Sequence, residues 1–160
     1  MVSIRPFEQR DAQPLADLMT EMADFYGATV SPTLVVADDV LQQAKSVDVI
    51  VAQGGKGLLG FATFTSLYPV AGLISFTYIQ QIYVGTNARR LGVARRLMAG
   101  IARVACARGS TRIEWSTSPD NVAARSLYEG LGAVGSDKVQ YVLEGAALNQ
   151  LAGDAERPSV

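Results

Sequence analysis

The chain has 160 residues, 49% hydrophobic and 18% charged, and its 15 acidic and 14 basic side chains leave a net charge of −1. This composition suits one folded domain with a substantial core, excludes a disordered chain, and leaves no whole-molecule field to attract nucleic acid. With no histidine and a single cysteine, Cys106, the chain lacks an imidazole base, a serine triad, a disulfide framework and a multi-cysteine metal site, and no metal is expected.

No apolar run approaches a membrane span, and Met1 to Pro6 lack the profile of a signal peptide, so a cytoplasmic protein without membrane contacts is expected. Val2 to Pro6 reads as a first strand. Asp11 is expected to cap a helix reaching about Tyr26, because Leu15, Leu18, Met19, Met22 and Phe25 recur at helical spacing and Gly27 ends the pattern. Ser31-Pro32 looks like the cap and first-turn proline of a second helix from Leu34 to Lys45. Val47 to Gln53 and Leu58 to Leu67 are β-rich runs joined by Gly54-Gly55-Lys56-Gly57, a hairpin signal. Tyr68 to Gly72 reads as a loop, and Leu73 to Val84 as a third antiparallel strand.

After an arginine-rich loop, Val93, Leu97, Ile101 and Ala105 recur every four residues up to Gly109, so this helix lays an apolar face on the sheet. Cys106 is read as part of that core. Arg112 to Thr117 is the next strand, with Trp115 in the core, Asn121 to Leu131 the next helix, and Val139 to Leu143 a last strand. Residues 1–152 are expected to form one domain, with 153–160 a loose tail. The order predicts a mixed α/β (α+β) sheet.

The loop itself carries an electrostatic oddity. In Asn87-Ala88-Arg89-Arg90-Leu91-Gly92-Val93-Ala94-Arg95-Arg96, four arginines crowd a helix N-terminus that is already partially positive. The arrangement makes sense if an anion sits there. Gly92 and Ala94 leave backbone N–H groups uncovered, the geometry by which helix starts bind phosphate, and a pyrophosphate is the expected guest.

Three segments together resemble the acyl-coenzyme A binding core of the GCN5-related N-acetyltransferases (GNAT): Ile79 to Val84, the loop Arg89-Arg90-Leu91-Gly92-Val93-Ala94, and Asn121 to Gly132. The resemblance implies the GNAT fold, with a mostly antiparallel sheet of about six to seven strands flanked by helices. It also implies acetyl-CoA as co-substrate and transfer of its acetyl group to a primary amine of a small molecule or peptide. Free backbone at Ile82, Tyr83 and Val84 would pair with the pantetheine arm as an added strand. Amides from Arg89, Arg90, Leu91, Gly92, Val93, Ala94 and Arg95 would hold the pyrophosphate. Homodimers are common in the family.

Asn121 is the expected cap of its helix, and the family's matching asparagine also touches the cofactor arm. Tyr128, seven residues on, shares its face. Attack by an amine expels a thiolate of pKa about 8.5, and a phenol of pKa about 10 can donate the proton at neutral pH. The resemblance makes Tyr128 that general acid; a half-buried core tyrosine is the bland alternative.

The base departs from many relatives, because the strand position often filled by a carboxylate carries Gln80-Gln81, and glutamine cannot act as a base. Glu114 is one candidate, and a water chain held by strand carbonyls is the other. The N-terminal region of this fold walls the acceptor pocket, and its excess of carboxylates would favour a cationic amine. Asp24 and Tyr26, with Gln80 and Gln81, are the candidate acceptor-side residues. Two other readings are a non-catalytic acyl-CoA-binding or regulatory module and a small nucleic-acid binder; the near-neutral charge disfavours the second.

Overall fold

In the computed structural model, which describes residues 1–28, 37–70, 72 and 74–154, the chain divides into two compact units, Met1–Asn121 and Val122–Val160. The first is built on a five-stranded sheet in the order β1-β2-β3-β4-β5. β1 (Ser3–Pro6), β2 (Asp48–Gly54), β3 (Gly57–Val70) and β4 (Ile74–Val84) pair antiparallel, and β5 (Ile113–Glu114) joins β4 in parallel. The glycine-rich turn between β2 and β3 is the expected hairpin, with Gly57 at φ 136°. β3 runs on to Val70, into residues whose composition suggests a loop.

Side-chain alternation gives the sheet two apolar faces. On one, α1 (Ala12–Phe25) packs Leu15, Ala16 and Leu18 against Val51, Phe61 and Tyr83, joined by Val40 of α2 (Ala37–Gln43). On the other, Gly100 of α3 (Val93–Ala107) lies so close to the sheet that an added Cβ would come within 2.7 Å of Ile4 and 3.1 Å of Ile50. Val93, Leu97, Ile101 and Ala105 are buried as their spacing predicts. Cys106 is not core; it is exposed, because one residue past Ala105 the helix has turned about 100° away from its buried stripe.

Asp11 occupies the N-cap position of α1 without making a side-chain cap. Its carboxylate instead accepts hydrogen bonds from Arg5 and the Glu8 amide. The expected helix start at Ser31-Pro32 lies outside the described residues.

Gly60 shows how tightly β3 and β4 approach. A Cβ there would stand 2.5 Å from the Tyr83 carbonyl oxygen and 3.2 Å from the Val84 Cα, both backbone atoms. Gly60→Val is therefore expected to destabilise the protein by about 1–3 kcal/mol, read as a lower urea midpoint at unchanged slope. An unchanged midpoint would show that the strands separate without cost.

The second unit contains α4 (Val122–Glu129) and α5 (Gly145–Asp154). α4 stops two residues short of Leu131, where Gly132 at φ 86° and the bond from the Ala133 amide to the Tyr128 carbonyl close the helix. Residues 139–143 form no strand, so the sheet has five strands rather than six or seven. The β-branched and aromatic content that suggests a strand there records a side-chain preference, whereas a strand also needs a ladder. Gly153 and Asp154 belong to α5, and 155–160 lie outside the described residues.

Candidate active site

β4 organises the site through one irregularity. Thr63 pairs with Gln81 but Phe64 pairs with Ile79, so Gln80 is an extra residue bulged out of the ladder. Before the bulge the odd residues face β5, since the Thr77 amide donates to the Arg112 carbonyl at 3.1 Å. After it the odd residues face β3, since the Gly85 amide donates to the Leu59 carbonyl at 3.0 Å. Ile82 and Val84 therefore turn their backbone N–H and C=O groups to the side of β4 away from β3.

On that side β5 pairs with β4 at Thr77–Ile113 and Tyr78–Glu114, and among the described residues no ladder continues past Tyr78. An extended amide-bearing chain could pair with Ile82 and Val84 there. Tyr83 differs from the sequence expectation: its backbone faces β3, and its buried side chain faces α1. The Val84 carbonyl already accepts a long bond from Arg89 Nε at 3.4 Å.

From Gly85 the chain makes one 3-10 turn over Thr86–Ala88 and reaches α3 through Arg89, Arg90 and Leu91. Gly92 is the N-cap in the left-handed region at φ 73°, with no side chain to cap the helix. The amides of Val93, Ala94 and Arg95 have no intrahelical acceptor, as in any first turn, and can serve an anion. Arg90 also has positive φ, 62°, an uncommon conformation for a residue with a Cβ. Arg90, Arg95 and Arg96 are exposed around this start.

Arg89 behaves differently from its neighbours. Its guanidinium stacks 4.1 Å from the Phe25 ring centroid and 5.9 Å from that of Tyr83. Nearby, Glu21 Oε1 accepts from the Thr86 amide at 2.7 Å, the Thr86 hydroxyl at 2.8 Å and the Tyr83 hydroxyl at 3.1 Å. The Thr86 amide, followed by the Thr86 hydroxyl, holds the Glu21 carboxyl below the usual carboxylate range. Burial first, then the bond to Glu21, pushes the Tyr83 phenol above its ordinary value. Sequence reasoning misses Glu21, which reads as one more acidic residue on a helix surface.

On the acceptor side, Gln81 faces α1 and donates to the Met22 sulfur at 3.0 Å, while Gln80 is exposed. Asp24 and Tyr26 are both exposed near the end of α1, and Tyr26 meets Phe25 edge-on at 5.1 Å. On the same sheet face, α1, α2 and strands β2 and β3 surround a mostly apolar cavity of about 290 Å³, lined by Leu15, Met19, Asp39, Val40, Val49 and Thr63. Glu114 forms an ion pair with Arg112 at 2.9 Å. Asn121 directly precedes α4, in the expected cap position, and its amide donates to the Ser118 carbonyl at 3.0 Å. Tyr128 lies within α4. Among the described residues, no cluster of three or more metal-ligating side chains occurs, and no helix is long and apolar enough to cross a membrane.

A strand edge beside an uncapped helix start suits an extended amide-bearing ligand that ends in a phosphate. Comparison with known proteins agrees. A model of the acetyltransferase (GNAT) family matches residues 15–133. A thialysine N-epsilon-acetyltransferase of Caenorhabditis elegans is 25% identical over 150 residues, covering 89% of this chain and 92% of that protein. An L-ornithine N5-acetyltransferase of Arabidopsis thaliana is 34% identical over 86 residues, 54% of this chain and 35% of that one. Among solved structures, an integron cassette protein of Vibrio cholerae matches with a TM-score of 0.79 at 27% identity, covering 94% and 97% of the two chains. The chain belongs to the GNAT acetyltransferase family, whose members generally use acetyl-CoA as co-substrate.

Proposed function

We propose that the protein moves the acetyl group of acetyl-CoA to a primary amine of a small molecule by direct attack in a ternary complex, with residues 1–152 acting as one catalytic domain. The observation that carries this reading is the end of the β4–β5 ladder at Tyr78, past which, among the described residues, Ile82 and Val84 pair with no strand on that side, just upstream of the Gly92 helix start. The pantetheine arm pairs along β4, and the pyrophosphate rests on the amides of Val93, Ala94 and Arg95. The amine nitrogen attacks the thioester carbonyl, whose developing oxyanion takes a hydrogen bond from a β4 amide. The carbon–sulfur bond breaks, the sulfur takes its proton from the Tyr128 hydroxyl, and the attacking nitrogen releases its second proton to solvent, from which the phenol is reprotonated. With Glu114 engaged by Arg112, the ammonium's proton is assigned to water held along β4, where the Gln80 bulge interrupts the ladder.

The acceptor is read as an aliphatic amine. The cavity between α1, α2 and the sheet offers apolar walls with Asp39 among them, which suits a hydrocarbon body with a cationic end. The names of the two curated relatives point the same way, since both acetylate a side-chain amine of an amino acid. Release of free coenzyme A across polyamines, diamino acids, aminoglycosides and peptide N-termini tests the reading, with the aliphatic amines expected to turn over fastest. Coenzyme A binding without turnover of any amine would favour a regulatory module instead.

Gly92 supplies a test of the pyrophosphate seat. No atom lies within 4 Å of where its Cβ would be, so a substitution acts only through the left-handed backbone. Gly92→Val is expected to raise the KM for acetyl-CoA about 10-fold or more, given the cost of that conformation for an L-residue. Arg95→Ala or Arg96→Ala alone should raise it only about 3-fold, as fits an exposed charge. The reverse order would make side-chain charge, rather than amide geometry, the basis of binding.

A further inference from the structure

Three positions of α1 hold the chain between Gln81 and Arg89. Met22 takes the Gln81 amide group at 3.0 Å, Phe25 carries the Arg89 guanidinium at 4.1 Å, and Glu21 gathers three donors on one carboxylate oxygen. Two of those donors belong to Thr86, the first residue of the 3-10 turn that leads to the arginine loop, and the third is the Tyr83 hydroxyl on β4. A single anionic oxygen thus ties the end of the strand to the beginning of the loop. The Glu21 carboxylate also sits beside the Gly85 corner, where a Cβ would be 3.6 Å from Glu21 Oε2, an ordinary van der Waals distance.

We propose that Glu21 is a positioning residue for acetyl-CoA: from the acceptor-side helix, it sets the loop from Thr86 to Gly92 so that the first amides of α3 meet the pyrophosphate. The inference rests on the coenzyme-binding reading given above. The Glu21 carboxylate acts through Thr86 and Tyr83, and its negative charge also answers Arg89 next to an anion site. Removing it frees two hydrogen-bond donors at the loop's start and one on the strand. The loop then samples other conformations, and coenzyme binding must select the productive one, which weakens apparent affinity by the fraction lost.

The experiment compares Glu21→Ala, Glu21→Gln and Thr86→Val with wild type, by calorimetric binding of coenzyme A and by steady-state kinetics with both substrates. Loss of bonds to a charged acceptor is expected to raise the Kd for coenzyme A and the KM for acetyl-CoA about 30-fold in Glu21→Ala. kcat at saturating acetyl-CoA and the KM for the amine should stay within about 2-fold of wild type, since the loss falls on uniform binding. Glu21→Gln, which keeps an acceptor oxygen, should recover part of the affinity. Thr86→Val, which removes only the hydroxyl donor, should give a smaller rise and serves as the decisive variant if Glu21→Ala does not fold. Coenzyme A affinity unchanged in Thr86→Val and Glu21→Gln, or a fall in kcat without a change in Kd, would overturn the proposal. Failure of wild type to bind coenzyme A would instead overturn the coenzyme-binding reading itself.

Discussion

Replacing Tyr128 with phenylalanine is expected to lower kcat about 100-fold, at the lower end of what a positioned general acid contributes, while leaving the Kd for coenzyme A unchanged. The variant keeps the ring and removes only the hydroxyl, so packing is preserved and the proton donor is lost. At neutral pH a phenol of pKa about 10 is fully protonated, and the departing sulfur, with a thiol pKa of about 8.5, takes its proton most readily from such a neighbour. Turnover equal to wild type would remove Tyr128 from the chemistry and leave solvent as the donor.

Asp11→Ala is expected to cost about 2–3 kcal/mol of stability, the loss of charge-assisted hydrogen bonds to a buried carboxylate, with Arg5 keeping Gln53 and the Pro6 carbonyl. Asp11 is 3% exposed. Its two oxygens receive Arg5 at 2.6 and 2.8 Å, and the Glu8 amide donates to it at 2.8 Å. Arg5 also donates to Gln53 on β2 at 2.9 Å, so the pair joins the first strand, the entry to α1 and the second strand. The bond to Arg5 is the largest influence on the Asp11 carboxyl and, with the Glu8 amide, outweighs burial, holding it below its ordinary value. A depressed carboxyl contributes stability that is complete above the unfolded value, about 3.9, and is lost as pH falls through the lower folded value. The gap in unfolding free energy between wild type and Asp11→Ala should therefore be full at pH 7 and shrink below about pH 4. A gap that stays constant down to acid unfolding would mean the carboxylate charge is not what holds Arg5.

Local patterns make much of this fold legible in the amino-acid sequence. The stripe from Leu15 to Met22 and the four-residue recurrence from Val93 to Ala105 are amphipathic signals that depend only on neighbours along the chain. Gly92 announces itself as a small residue at a helix start crowded with arginines, where uncovered amides suit an anion. What stays hidden depends on distance along the chain or on a change of phase. Glu21 meets Tyr83 and Thr86 across 62 and 65 residues, and no spacing rule connects them. The bulge at Gln80 adds one residue to β4, so odd-numbered residues face β5 before it and β3 after it, and no side-chain pattern marks the place. Asp11 looks like a helix cap because it stands where caps stand, and only the fold brings Arg5 to its carboxylate. The mistaken strand at Val139 to Leu143 and the unforeseen α5 share a cause, since β-branched content is visible in the sequence and the partner elements that decide the outcome are not.

The extra residue in β4 has a consequence for how this strand tolerates change. A substitution at Ile82 or Val84 alters a side chain yet leaves the amides that face away from β3 in place, so that edge is insulated from point variation. Losing Gln80 would act on shape alone. Ile79 and Gln81 would become neighbours opposite Phe64 and Thr63, the ladder would run without interruption, and Gln81 and Tyr83 would still face β3. The pairing from Gln81 onward is therefore the same with or without the extra residue, and what that residue sets is the bend and twist of β4 where its ladder with β5 ends.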